Sequence, residues 1–152
     1  MESFAAAVEG LAVAEWLRYS RWGYAAVNAS HILGIALLIG AVVTLDLRLT
    51  GLWRSVELGP LYRILASVAA TGLIIAISTG ILLFTVRATE YVTFELLFIK
   101  LALITIGIVL AAIMHFKVDI KNCSRERQRL FGVLSLLIWP AVLVCGRLLA
   151  FV

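Results

Sequence analysis

The sequence predicts an all-α membrane protein, a transmembrane four-helix bundle with a short N-terminal interfacial helix. Three observations carry that class. Four long apolar stretches, at about 24–45, 61–86, 98–116 and 130–152, each approach the ~20 residues needed to cross a bilayer. The mean hydropathy is +1.08, and 63% of residues are apolar against only 14% charged, far outside the range of a water-soluble domain. The links between stretches are short, so residues 1–152 read as a single membrane domain.

Residues 1–20 form the interfacial element. Phe4, Val8 and Leu11 recur at helical spacing, but the segment is too short and too polar for a fifth span. Its start, Met-Glu-Ser-Phe, lacks the basic region that opens a signal peptide, and no cleavage is expected. Trp16, Tyr19, Trp22 and Tyr24 then mark a water boundary, where amphipathic rings settle. Within the spans, Gly34, Gly40, Ala41, Gly72, Ser78, Gly80, Gly107 and Ala111 are small enough to let helices approach in lipid. Pro60 falls at the start of the second span, where a missing N–H is harmless, whereas Pro140 lies inside the fourth and predicts a kink.

Basic residues set the expected orientation. The loop 46–63 and the loop 117–129 together carry eight Lys and Arg, and the opposite side carries five. The richer side faces the cytoplasm by the positive-inside rule, which puts both termini in the periplasm of a bacterial inner membrane. The same loops account for the net charge of +4 without a polyanionic partner, so nucleic-acid binding is not expected. The lipid bilayer is the evident partner, and small-residue faces also suit a homo-oligomer or a subunit of a membrane complex. Cys123 and Cys145 have no motif spacing and define neither a disulfide framework nor a CxxC centre.

Ionisable and ligand-type side chains inside the spans are the clues to function, because lipid makes them expensive. His31 lies about nine residues past Trp22, roughly 10–15 Å deep at 1.5 Å per residue. Lys100, Cys145 and Arg147 fall near the same outer layer. A haem b held by His31, with its propionates on Lys100 and Arg147, is one reading, and snorkelling of the two cations to the headgroups is the plainer one. His31 with Cys145 is a second candidate metal pair, short of ligands.

Met114 and His115 at the other end are a third candidate, suited to copper by chemistry, although adjacent helical residues point about 100° apart. Asp46 and Arg48 share that end, as a structural network. His31 and His115 differ in depth by roughly 10–18 Å, too far to clamp one iron within a chain. No phosphate-binding loop and no intramembrane carboxylate pair occurs, so catalysis is not expected.

The string from His31 to Gly40 (HILGIALLIG), continued by Leu45, Asp46, Leu47, Arg48 and Leu49, resembles the first span of a bacterial family of small CopD-like membrane proteins of unknown function. Phe98 to Lys100, His115, and Gly146 with Arg147 agree in outline. The resemblance implies copper handling or haem-linked electron transfer. The chain departs from it in lacking methionine clusters for a copper path and the four core histidines of a two-haem cytochrome. The expected function is therefore a non-catalytic component handling haem or metal around His31. A structural subunit of a larger complex and a CopD-like copper importer are the alternatives.

Overall fold

A computed structural model describes residues 2–117, 123–149 and 151. Seven helices make up its described part: α1 (Glu2–Glu9), α2 (Ala12–Tyr19), α3 (Arg21–Thr50), α4 (Leu58–Val86), α5 (Ala88–Tyr91), α6 (Glu95–Phe116) and α7 (Arg125–Leu148). Four of them, α3, α4, α6 and α7, are long and apolar enough to cross a membrane. The protein is thus a multi-pass helical membrane protein.

Local chemistry fixes the helix ends. Ser20 starts α3 by accepting a hydrogen bond from the Gly23 N–H at 3.1 Å, and Gly51 stops it in the left-handed region at φ 117°. At 30 residues, α3 is about 45 Å long, so it projects past a hydrocarbon core of ~30 Å or tilts within it. The expected 24–45 covers only its lipid-depth portion. Ser124 caps α7 through the Arg127 N–H, which begins that helix earlier than the expected 130 and ends it at Leu148. Arg125, Arg127 and Arg129 therefore stand on its first turns and not in a loop. The expected loop residues Asp119 and Lys121, and the last residue of the expected span, Val152, lie outside the described residues. Pro60 falls in the first turn of α4, as expected, and α7 runs on through Pro140.

α3 is the central helix. It packs on α4 and α7, and α7 in turn packs on α6. The α3–α4 contact is backbone on backbone. A Cβ at Gly34 would fall 2.7 Å from the Ala76 nitrogen, and one at Gly72 would fall 2.6 Å from the Leu38 nitrogen. Only glycine admits that approach, the small-residue packing that lipid favours. Gly132 serves α3–α7 in the same way, and Gly107 makes room for the Trp139 indole between α6 and α7. At the end remote from the termini, Leu45, Leu49 and Met114 form a buried cluster closed by Leu58, Tyr62, Leu65, Cys123 and Phe131.

The N-terminal segment departs from a single interfacial helix. It breaks at Gly10 and Leu11 into α1 and α2, which dock on α3, α4 and α5 through the buried Ala5, Ala14, Leu17 and Ala88. Phe4, Trp16, Tyr19 and Trp22 remain exposed on the other side, suited to the headgroup layer.

Candidate functional site

The terminus-bearing half holds a polar layer assembled from all four spans. α3 supplies His31, half-buried against α4, where Gly80 leaves room for the ring: a Cβ there would fall 3.1 Å from its Cε1. His31 Nδ1 is 2.9 Å from Thr79 Oγ1. The Thr79 hydroxyl donates to the Ile75 carbonyl at 2.6 Å. The Ala76 backbone is a second hydrogen-bond partner of the ring, so Thr79 and Ala76 of α4 together fix how the imidazole is turned.

α6 supplies Lys100, whose stem lies across Gly146 of α7. A Cβ at Gly146 would come within 3.1 Å of Nζ and 3.3 Å of Cε. Lys100 is within electrostatic reach of both His31 and Cys145. The four helices therefore bring His31, Lys100 and Cys145 into one layer, with Thr79, Gly80 and Gly146 shaping it. Arg147 is placed differently. It is exposed on α7, its guanidinium 4.6 Å from the Phe151 ring centroid, an outward cation–π contact.

The far end does not bring its candidate ligands together. Met114 is buried with Leu45 and Leu49, whereas His115 is exposed, its Nδ1 3.2 Å from the Tyr62 hydroxyl and its ring against Phe116. The ~100° between neighbours on a helix sends one inward and the other out. Asp46 and Arg48 likewise do not pair with each other. The Arg48 guanidinium turns to the 51–57 connection, donating to the Val56 carbonyl at 2.8 Å and the Arg54 carbonyl at 3.4 Å, and Asp46 bonds Ser135 of α7. Among the described residues, no group of three or more His, Cys, Asp or Glu stands ready to hold a metal ion.

Outside the spans, a second polar cluster ties the N-terminal pair to the rest. Glu9 Oε1 accepts from the Thr89 N–H at 2.8 Å and its hydroxyl at 2.7 Å. The Thr89 hydroxyl first, then its N–H, hold the Glu9 carboxyl below its ordinary 4.5. Arg18 donates to the Val86 carbonyl at 3.3 Å.

Sequence reasoning named His31, Lys100 and Cys145 as candidates and Gly80 as a packing residue, but did not name Thr79 or Ser135. Thr79 and Gly80 carried a readable signal, a hydroxyl beside a glycine at His31's depth in the next span. Ser135 carried none that set it apart from other small residues. No family model matches this chain, and no curated protein or solved structure proves similar to it.

Proposed function

We propose that this protein is a non-catalytic component of a bacterial inner membrane, with both termini periplasmic, whose terminus-side layer binds haem b through His31 for electron transfer. The carrying observation is the His31–Thr79 hydrogen bond. An imidazole held on one ring nitrogen by a neighbouring hydroxyl is fixed in orientation, the usual support of a ligating histidine. Lys100 adds a cation in the same layer, with no ion-pair partner among the described residues, suited to a carboxylate. When bound, haem would supply one-electron exchange. The chain's part is to ligate and orient it through His31 and to screen its charge through Lys100.

Arg147, facing outward, reads as a headgroup anchor rather than a propionate partner. His31 would be this chain's ligand to the haem, and any second ligand would come from another copy of the chain or from another subunit of a complex. The copper reading fits the residues less well. Met114 and His115 occupy different surroundings, and His31 with Cys145 makes only two ligands, so no copper transfer is derived from them.

The test is an optical spectrum of protein purified from its native membrane with its partners retained. A Soret band is expected, abolished in His31→Ala and not restored in His31→Gln. Thr79→Ala is expected to keep the fold and weaken haem retention about 10–100-fold, the usual loss on removing a ligand's support. A colourless, metal-free preparation that keeps its partners would overturn the reading in favour of a structural subunit.

A further inference from the structure

Asp46 is 2% exposed, yet it has a single hydrogen-bond partner, Ser135, and its Oδ2 has none among the described residues. α7 crosses α3 here so tightly that a Cβ at Gly132 would fall 2.9 Å from the Asp46 carbonyl oxygen and 3.1 Å from Leu49 Cβ. Among the described residues, none of the charged groups of the surrounding helices pairs with Asp46; Arg63 of α4 is exposed, and the thiol of Cys123 packs against the Leu45, Leu49 and Met114 cluster. On α3, Arg48 donates to the carbonyls of Val56 and Arg54. On α7, Arg125, Glu126, Arg127 and Arg129 are exposed, and the buried Gln128 is neutral. On α4, the Tyr62 hydroxyl is bonded to His115 of α6, and His115 and Lys117 are both exposed. No ion pair joins any of them to Asp46 among the described residues.

We propose that Asp46 and Ser135 form a proton-binding site, at which the uncharged carboxylic acid fastens α7 to α3 and loss of the proton loosens them. An ionised carboxylate is acceptor-only and presents about four lone-pair positions. Among the described residues it would have one hydroxyl donor and no cation, at a close crossing of two helices. That is a costly state for a carboxyl in an apolar surrounding.

The acid form needs less. Its O–H donates to Ser135 Oγ, and only an uncharged carbonyl oxygen is left without a partner. Asp46 is four residues from the end of α3 at Thr50, about 6 Å along the axis, so water at that end can take up or deliver the proton. The only bond broken is the carboxyl O–H, and its proton goes to that water.

The experiment uses the full chain in lipid nanodiscs, read by infrared spectroscopy and by thermal unfolding across pH. At neutral pH a carboxylic-acid C=O stretch is expected that vanishes in Asp46→Asn and shifts in frequency in Ser135→Ala. The unfolding midpoint of the parent should fall as pH rises, whereas Asp46→Asn, which copies the neutral acid, should lose that slope. Absence of an Asp46-dependent acid band at neutral pH overturns the proposal, and so does an equal pH slope in the two proteins. Should Asp46→Asn fail to fold, the band in Ser135→Ala decides: a shift supports the site, and an unmoved band overturns it.

Discussion

At the scale of single residues, the chain uses side chains to satisfy backbone groups that lipid and loops leave bare. Arg48 is buried and spans from α3 to the Val56 carbonyl, closing the 51–57 connection as a cap would. Arg48→Ala removes a charge-assisted bond and strands that carbonyl, at a cost of about 1.5–3 kcal/mol. Faster amide exchange confined first to 51–57 is the expected signature. Glu9 does the same for α5 through Thr89 and titrates outside the membrane. Its folded pKa lies below 4.5, so its contribution to docking is fully present above that value and is lost only as pH falls through the depressed one. The Thr89 amide shift, followed by NMR, should therefore hold steady through mildly acidic pH and move below the ordinary glutamate range. In Glu9→Gln it should not titrate at all. Neither role was legible in the sequence, because each depends on residues brought together by the fold: Glu9 meets Thr89 from the far side of two spans.

At the scale of helices, the length and apolarity of each span fixed its existence, and caps fixed its ends. Hydropathy marks where lipid begins, but Ser20, Gly51 and Ser124 decide where hydrogen bonding begins and stops, which is why α3 outruns its apolar stretch and α7 starts before its own. Small residues were legible as contact candidates but not as contacts. Gly34 and Gly72 touch backbone, whereas Gly40 has nothing within 4 Å of its Cβ position. That contrast is testable. Gly34→Ala should push α3 from α4 and destabilise the fold by about 1–3 kcal/mol, the usual cost of overpacking. Gly40→Ala should be neutral or stabilising by up to ~1 kcal/mol, from helix propensity alone. Unfolding of the two variants in the same bilayer mimic gives the comparison, and equal stability would mean that the α3–α4 crossing lies elsewhere.

For the whole molecule, one central helix organises two polar layers at opposite ends. α3 carries His31 in one and Asp46 in the other, and Gly34, Leu38, Ala41 and Leu45 between them are buried, which leaves the interior apolar from one layer to the next. The buried face of α3 carries His31, Gly34, Leu38 and Leu45 at helical spacing, a pattern present in the sequence, because lipid-depth helices hide their small and polar positions. The partners of that face were not legible there, since any of three other spans could have met it. The four candidate spans among the described residues leave α1 and the end of α7 on one side, and the proposed orientation then rests on charge. Eight basic residues flank the far-end connections against five at the terminus-bearing end. Arg48 is buried and bonded within the fold, so it is held by structure as well as by topology, and the exposed Arg125, Arg127 and Arg129 are three of the seven other basic residues on that side. Ser55, exposed in the 51–57 connection, is a suitable reporter once Cys123 and Cys145 are replaced by serine. In intact cells Ser55→Cys should resist a membrane-impermeant maleimide and react after permeabilisation. Reversing the charge of Arg125, Arg127 and Arg129 together should increase its labelling in intact cells by inverting part of the population. Rapid labelling of the parent reporter without permeabilisation would place the termini in the cytoplasm and the His31 layer on that side with them.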